Sequence, residues 1–253
     1  CDSAYYYKAS NSFEAFSHVK MVQGDTLSLT GDYLKYDGDA QIAQARKNVH
    51  LKHRGTLLVT DSLNYDKLYD LGYFFDGGKL YDGKNTLVSD WGEYSPQTRE
   101  AVFNYHVKLT NERFTLTSDT LHYNTLTKIT HIVGPSNINS DGNRIYTERG
   151  YYDTAKDYAE LFDRSVVING KSTMTGDSMY YDKKNGKMHA YNNIVYNDKG
   201  NKNLLTGDYC EYDDTTGYAM ATKNAVVRDY SSPDTLFMHA DTFKIFTYNI
   251  RTH

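Results

Sequence analysis

Read for alternating apolar and polar positions, the chain is a repeat. An acid returns as Asp2, Asp32, Asp61, Asp90, Asp119, Glu148, Asp177, Asp208 and Asp241, at successive spacings of 30, 29, 29, 29, 29, 29, 31 and 33 residues. Two residues past each acid stand Ala4, Leu34, Leu63, Gly92, Leu121, Gly150, Met179, Cys210 and Phe243. Four past it stand Tyr6, Tyr36, Tyr65, Tyr94, Tyr123, Tyr152, Tyr181 and Tyr212, with Ile245 in the last, incomplete unit. The positions between are mostly polar, as in Lys35, Asn64, Glu93 and His122. Alternation at period 2 marks a strand with one buried face.

A second apolar series lies thirteen residues past the acid: Ala15, Ala45, Phe74, Phe103, Ile132, Leu161, Ala190 and Ala221. It leads into His18-Val19, Asn48-Val49, His106-Val107, Asn193-Ile194 and Asn224-Ala225-Val226. Each repeat is therefore two strands and two turns. Stretches such as "DGDA" at 37, "SPQT" at 95, "DKKNG" at 182 and "DDTTG" at 213 supply the turn chemistry. The two longer spacings place their extra residues in "NDKGNKN" and "RDYSSPD", turns where a strand scaffold tolerates insertions. "DAQIAQARKN" at 39–48 has good helix formers, but Ala43, Ala45, Val49 and Leu51 keep the strand spacing.

Upstream of the acid the apolar residue often lies three positions back, as in Leu29, Leu87, Leu116, Met174 and Leu205. The inward parity thus switches at the small residue before the acid, such as Gly31, Ser89, Ser118 or Gly176, and a bulge or corner at that small-Asp step is expected. Stacked corners fold the meander into two facing layers around an apolar interior. About 17 antiparallel strands spaced about 4.8 Å apart predict an elongated all-β body on the order of 80 Å long, a single repeat domain over 1–253.

Composition agrees: 25 Tyr, 18 Gly and only 3 Pro among 253 residues favour strands joined by tight turns. A net charge of -4 leaves no field for nucleic acid, and "RKNVHLKHR" at 46–54 is an isolated basic stretch best read as a solvated strand face. Cys1 and Cys210 make no disulfide framework and no metal motif. Cys1 has the residue type of an acylated lipoprotein terminus, but the repeat is read as simply beginning there. Nothing in the sequence resembles a membrane-spanning helix.

A catalytic centre needs an asymmetric constellation of groups in one cleft. An acid stamped into every repeat is expected instead to satisfy backbone donors at a corner. The nine histidines do not gather into a metal site, and "NSDGN" at 139–143 reads as a plain turn for want of a bidentate Glu. No catalytic residue, metal or cofactor is expected. The candidate site is the interior, lined by Leu34, Tyr36, Leu63, Tyr65, Phe74, Phe103, Val107, Leu121, Tyr123, Ile132, Leu161, Met179, Tyr181 and Ile194. Two readings of it stand side by side: a filled core, or a groove for an elongated apolar ligand.

The pattern "GDYLKYD...A.A..NVHL....TLLVTDSLNYD" resembles the OstA/LptA family, and in particular its longer OstA-like members. The resemblance implies a twisted β-jellyroll of 29-residue two-strand repeats whose hydrophobic groove shields the acyl chains of lipopolysaccharide. It also implies a periplasmic location in a Gram-negative envelope, and partners that are lipid A and other Lpt-type jellyrolls joined end to end by strand addition, including further copies of this chain. Such a protein is a carrier and not an enzyme. Both ends of the sequence read as cuts through a longer array. The rival is a structural or adhesive β-solenoid that binds carbohydrate or protein through outward tyrosines such as Tyr33, Tyr151, Tyr180 and Tyr209.

Overall fold

The computed structural model describes residues 1–140, 142–213 and 215–246, apart from the side chain of Gln23. Asp141 of the "NSDGN" turn, Asp214 of "DDTTG" and the final residues 247–253 lie outside it. Among the described residues the chain is all β, with nineteen strands and no helix. It divides into two compact units, Cys1–Thr130 and His131–His253.

Unit 1 runs through β1 (Ser3–Tyr7), β2 (Ser12–Gln23), β3 (Leu27–Asp37), β4 (Ile42–His53), β5 (Thr56–Asp66), β6 (Leu71–Phe74), β7 (Gly78–Asp82), β8 (Asn85–Ser89), β9 (Trp91–Tyr94), β10 (Glu100–Thr110) and β11 (Phe114–Asn124). Unit 2 takes nearly all of β12 (Ile129–Ser140), then β13 (Asn143–Asp153), β14 (Tyr158–Asn169), β15 (Ser172–Asp182), β16 (Lys187–Asp198), β17 (Asn203–Asp213), β18 (Tyr218–Asp229) and β19 (Leu236–Phe246). Strands β1 to β5 and β13 to β19 are antiparallel meanders in which each strand pairs with the next. The stretch 42–53 is strand throughout, as its parity requires. The long connections fall at 199–202 and 230–235, where the extra residues were expected.

The excess of nineteen over about 17 has one local cause. Two of the expected strands are each cut at the corner, giving β6 with β7 and β8 with β9. Both halves of the first pair with β5, while β8 and β9 both pair with β10. At the break the Ser62 hydroxyl accepts from the backbone N–H groups of Phe75 (3.3 Å) and Asp76 (3.1 Å), and the Thr60 hydroxyl donates to the Gly77 carbonyl (2.7 Å). Side chains satisfy there what the ladder leaves open.

Corners do occur at the small-Asp step, but the extra residue is on the other strand. Phe16 pairs with Tyr33 and Val19 with Gly31, so Ser17 and His18 of β2 face Asp32 alone. The pair at fifteen and sixteen residues past the acid is left-handed in repeat after repeat: Ser17 and His18, Lys47 and Asn48, Tyr105 and His106, Asp163 and Arg164, Asn192 and Asn193, Lys223 and Asn224, all with φ between 50° and 66°. This is a β-bulge that bends the strand. Asn tolerates the left-handed region better than most residues, which explains its frequency at the second position.

The same periodicity governs the hairpins. Nine residues past the acid, Asn11, Gln41, Asp70, Arg99, Lys128, Asp157, Gly186 and Gly217 all have positive φ. The residue after the repeat tyrosine caps that turn. Asp37 Oδ1 accepts from the N–H groups of Asp39 and Ala40, and Asp66, Asn124, Asp153 and Asp213 repeat the pattern. Those turn hydrogen bonds hold the carboxyls of Asp182 and Asp213 below their ordinary range, through the Asn185 and Thr215 side chains first.

Candidate functional site

The recurring acid is bound into the corners. The Asn48 amide donates to Asp32 Oδ2 at 2.7 Å, while the Asn48 N–H donates to Asp61 Oδ1 at 3.0 Å. Asn193 does the same to Asp177 (2.6 Å) and Asp208 (3.3 Å), and the Asn224 amide donates to Asp208 at 2.8 Å. His18 and His106 take the Asn place, 3.2 Å from Asp2 and 2.6 Å from Asp90. That contact raises the His106 pKa. Asp2, Asp32, Asp61, Asp90, Asp177 and Asp208 thus brace the left-handed corners in the same way, repeat after repeat. Among the described residues no three His, Cys, Asp or Glu side chains gather where they would hold a metal.

The inward columns meet as their parity predicts. All eight residues thirteen past the acid, from Ala15 to Ala221, are buried. Of the candidate lining, Leu34, Leu63, Tyr65, Phe74, Phe103, Val107, Leu121 and Tyr123 of unit 1 are buried, and so are Ile132, Leu161, Met179 and Ile194 of unit 2. Tyr36 and Tyr181 are half-buried. The Phe74 and Phe103 rings lie 6.4 Å apart at the centre of unit 1. A Cβ on Gly78 or on Gly92 would sit 2.6 Å from the Phe74 ring, so these glycines make its room.

Access to the interior differs between the units. In unit 1 the repeat tyrosine passes from 65% exposed at Tyr6 to 0% at Tyr123, whereas in unit 2 it passes from 6% at Tyr152 to 39% at Tyr212. Polar groups close the mouth of unit 1, the side opposite the corners. The Tyr123 hydroxyl donates to Asp82 Oδ2 (2.7 Å), the Asn85 amide donates to the Tyr123 oxygen (2.9 Å), and Lys128 Nζ donates to both Asp82 oxygens (2.6 and 2.5 Å). Beside this clasp His53 Nδ1 lies 2.9 Å from the Tyr94 hydroxyl, and burial lowers the His53 pKa. A cleft of about 410 Å³ opens at that rim between Thr26, Leu27, His53, Tyr65, Asp70, Pro96 and Gln97. Burial and a hydrogen bond to Asp70 push the Tyr65 hydroxyl far up.

Unit 2 has smaller inward residues. Leu205, Ala221 and Ala225 form a buried cluster with Tyr196, Val227 and Phe243 packed against it. Towards the mouth, Tyr181, Met188 and Ala219 are half-buried and Tyr212 is exposed, an apolar trough along consecutive strands. Cys210 is buried beneath it, its thiol pushed up to about 11 by burial and then by Glu211.

Two features escaped the sequence reading. The clasp joins residues 46 positions apart, from turns whose parity says nothing of each other. The outer face of unit 2 carries a chain of ring contacts, Tyr151–Phe162–Tyr180–Tyr191–Tyr209, with centroids 5.3 to 6.4 Å apart. Outward parity identified Tyr151, Tyr180 and Tyr209, and Phe162 and Tyr191, both fourteen residues past their acids, stand beside them on the neighbouring strands.

Residues 1–119 match the family model of OstA-like proteins. Over those residues the chain is similar to that family. The resemblance read from the acid-tyrosine pattern is borne out over those residues, which hold the units from Asp2 to Asp90. Among solved structures, fifteen chains match. One is LptH, described as the LptA-homologous periplasmic component of the lipopolysaccharide transport device from Pseudomonas aeruginosa. It is 20% identical, with a TM-score of 0.40 over 43% of this chain and 82% of its own. No curated protein matches the sequence.

Proposed function

We propose that this chain is a non-enzymatic periplasmic carrier that shields lipopolysaccharide acyl chains as they cross to the outer membrane. The observation that carries the reading is the OstA-like repeat folded around an apolar interior, with a trough open at the mouth of unit 2. Each acyl CH₂ exposed to water costs about 0.8 kcal/mol, so a chain of ~14 carbons faces a barrier on the order of 10 kcal/mol. A continuous apolar wall removes that barrier without any chemistry. In unit 2 entry runs through Met188 and Tyr212, and the lining extends inward to Met179, Ile194 and Leu161; in unit 1 Leu121, Phe103 and Leu63 line an interior of their own behind its clasp.

Assembly with other jellyrolls follows from strand edges. Strand β1 presents Tyr5, Tyr6 and Tyr7, and β19 presents Leu236, Phe237 and Phe246, all exposed apolar side chains suited to strand addition. Photoreactive groups placed at Met188 and Tyr212 test the groove against lipopolysaccharide. Inward sites are expected to crosslink above the outward control Lys35, and equal labelling at Lys35 would sink the reading.

A further inference from the structure

The outer face of unit 2 holds a dent that the groove does not use. Ser178 stands in register between Phe162 on β14 and Tyr191 on β16, so one small side chain interrupts a row of rings. The gap is a cleft of about 390 Å³ lined by Tyr158, Ser178, Tyr180, His189 and Tyr191. That volume is within the range of small-molecule sites. The Tyr180 and Tyr191 rings stand 5.5 Å apart and nearly perpendicular, so they present one face and one edge to the opening.

Two carboxylates flank the cleft. Glu160 faces Tyr180 across the β14–β15 pair, and Glu211 accepts from the Tyr209 hydroxyl at 3.2 Å next to His189. No Lys or Arg lines the cleft, and Lys187 stands opposite Asp182 and Asp213 instead. Burial first and Glu160 second push the Tyr158 hydroxyl up to about 12. The chain already uses this row of rings for a cation. The Arg149 guanidinium lies 5.6 Å from the Phe162 ring centre, held there by Asp163 at 2.7 and 3.0 Å.

We propose that the Tyr158–Tyr180–Tyr191 cleft binds a small organic cation, an alkylammonium or quaternary ammonium group. Ring faces attract such ions electrostatically, and a nearby carboxylate adds to the attraction while rejecting phosphates and other anions. The ammonium group has two sources, a free amine or a lipid headgroup, and the cleft is open enough to admit either.

Choline is the free probe and 3,3-dimethylbutan-1-ol its uncharged isostere, each titrated into the whole chain and read by calorimetry and by the tyrosine ring signals in NMR. Choline is expected to saturate while the isostere binds far more weakly. Tyr180→Ala or Tyr191→Ala should weaken choline about 2- to 5-fold, the range of an exposed cation–π contact. Tyr180→Phe should retain binding, and Ser178→Phe, which fills the dent on an outer face, should abolish it with the thermal midpoint unchanged. Vesicles of phosphatidylcholine that recruit the native chain but not the Tyr180→Ala variant assign the ammonium to a lipid, whereas binding of free choline alone assigns it to a soluble amine. Equal binding of the isostere, preferential binding of a neutral oligosaccharide, or choline binding unchanged in Ser178→Phe overturns the proposal. The groove can fail its crosslinking test without affecting any of these readouts.

Discussion

Asn48 shows how much one position carries. It holds φ at 51°, its amide reaches Asp32 and its N–H reaches Asp61. Alanine there keeps the strained backbone and loses the amide bond, so Asn48→Ala should lower stability by about 1–2 kcal/mol, while Asn48→Gly should recover the backbone part. Chemical denaturation of both variants measures the split. Two histidines titrate in opposite senses. Burial depresses the pKa of His53, with Arg99 and Arg54 adding to it, so its protonation favours the unfolded chain. The stability it contributes is present above the ordinary value near 6.5 and is lost as pH falls. The His106 pKa is raised by Asp90, so its contribution is present below about 6.5 and fades as pH climbs through the raised value. NMR titration should find His53 below and His106 above the ordinary value, and Asp90→Asn should return His106 alone towards it.

At the scale of strands and corners, the repeat reads directly from sequence because parity is a backbone property. The acid, the residue two beyond it and the apolar column at thirteen all locate the inner face before any contact is known. Parity cannot say which of two paired strands carries the extra residue of a corner. The left-handed pair Ser17-His18 and the single Asp32 flip the inward face together, and only the pairing register tells them apart. Nor does it reveal that β6 to β9 are cut short, since that depends on Phe74 filling space that Gly78 and Gly92 leave. The packing there is testable. Gly78→Ala places a methyl 2.6 Å from the ring and should cost about 1–3 kcal/mol. Combined with Phe74→Leu it should cost less than the sum of the two single changes, by roughly 0.5–3 kcal/mol for residues in direct contact. Strict additivity in the double-mutant cycle would show that the ring and the glycine do not compete for the same volume.

Across the whole molecule the inward residues were legible, but their accessibility was not, because closure of a mouth is decided by side chains far apart in sequence. Leu121 and Met179 occupy the same repeat position; the first lies in unit 1, behind the Asp82–Lys128 clasp, and the second in unit 2, beneath half-buried Met188. The clasp is where the two readings of the interior, filled core and groove, separate experimentally. The Asp82 carboxylate is 4% exposed and the Lys128 side chain 32%, so the pair is only partly screened by water. Lys128→Met leaves Asp82 with the Tyr123 hydroxyl but without its counter-charge. It should cost roughly 1–3 kcal/mol, below the 3–5 typical of a fully buried pair. The same change should loosen the mouth. With a photoreactive C14 acyl probe, the native chain should be labelled at Met188 and Tyr212 and little at Leu121, and Lys128→Met should raise labelling at Leu121 while leaving the unit 2 sites unchanged. If Leu121 is labelled in the native chain as strongly as Tyr212, the clasp does not control access. If it stays unlabelled in a Lys128→Met variant that has lost the expected stability, the interior of unit 1 is a core and not a conduit.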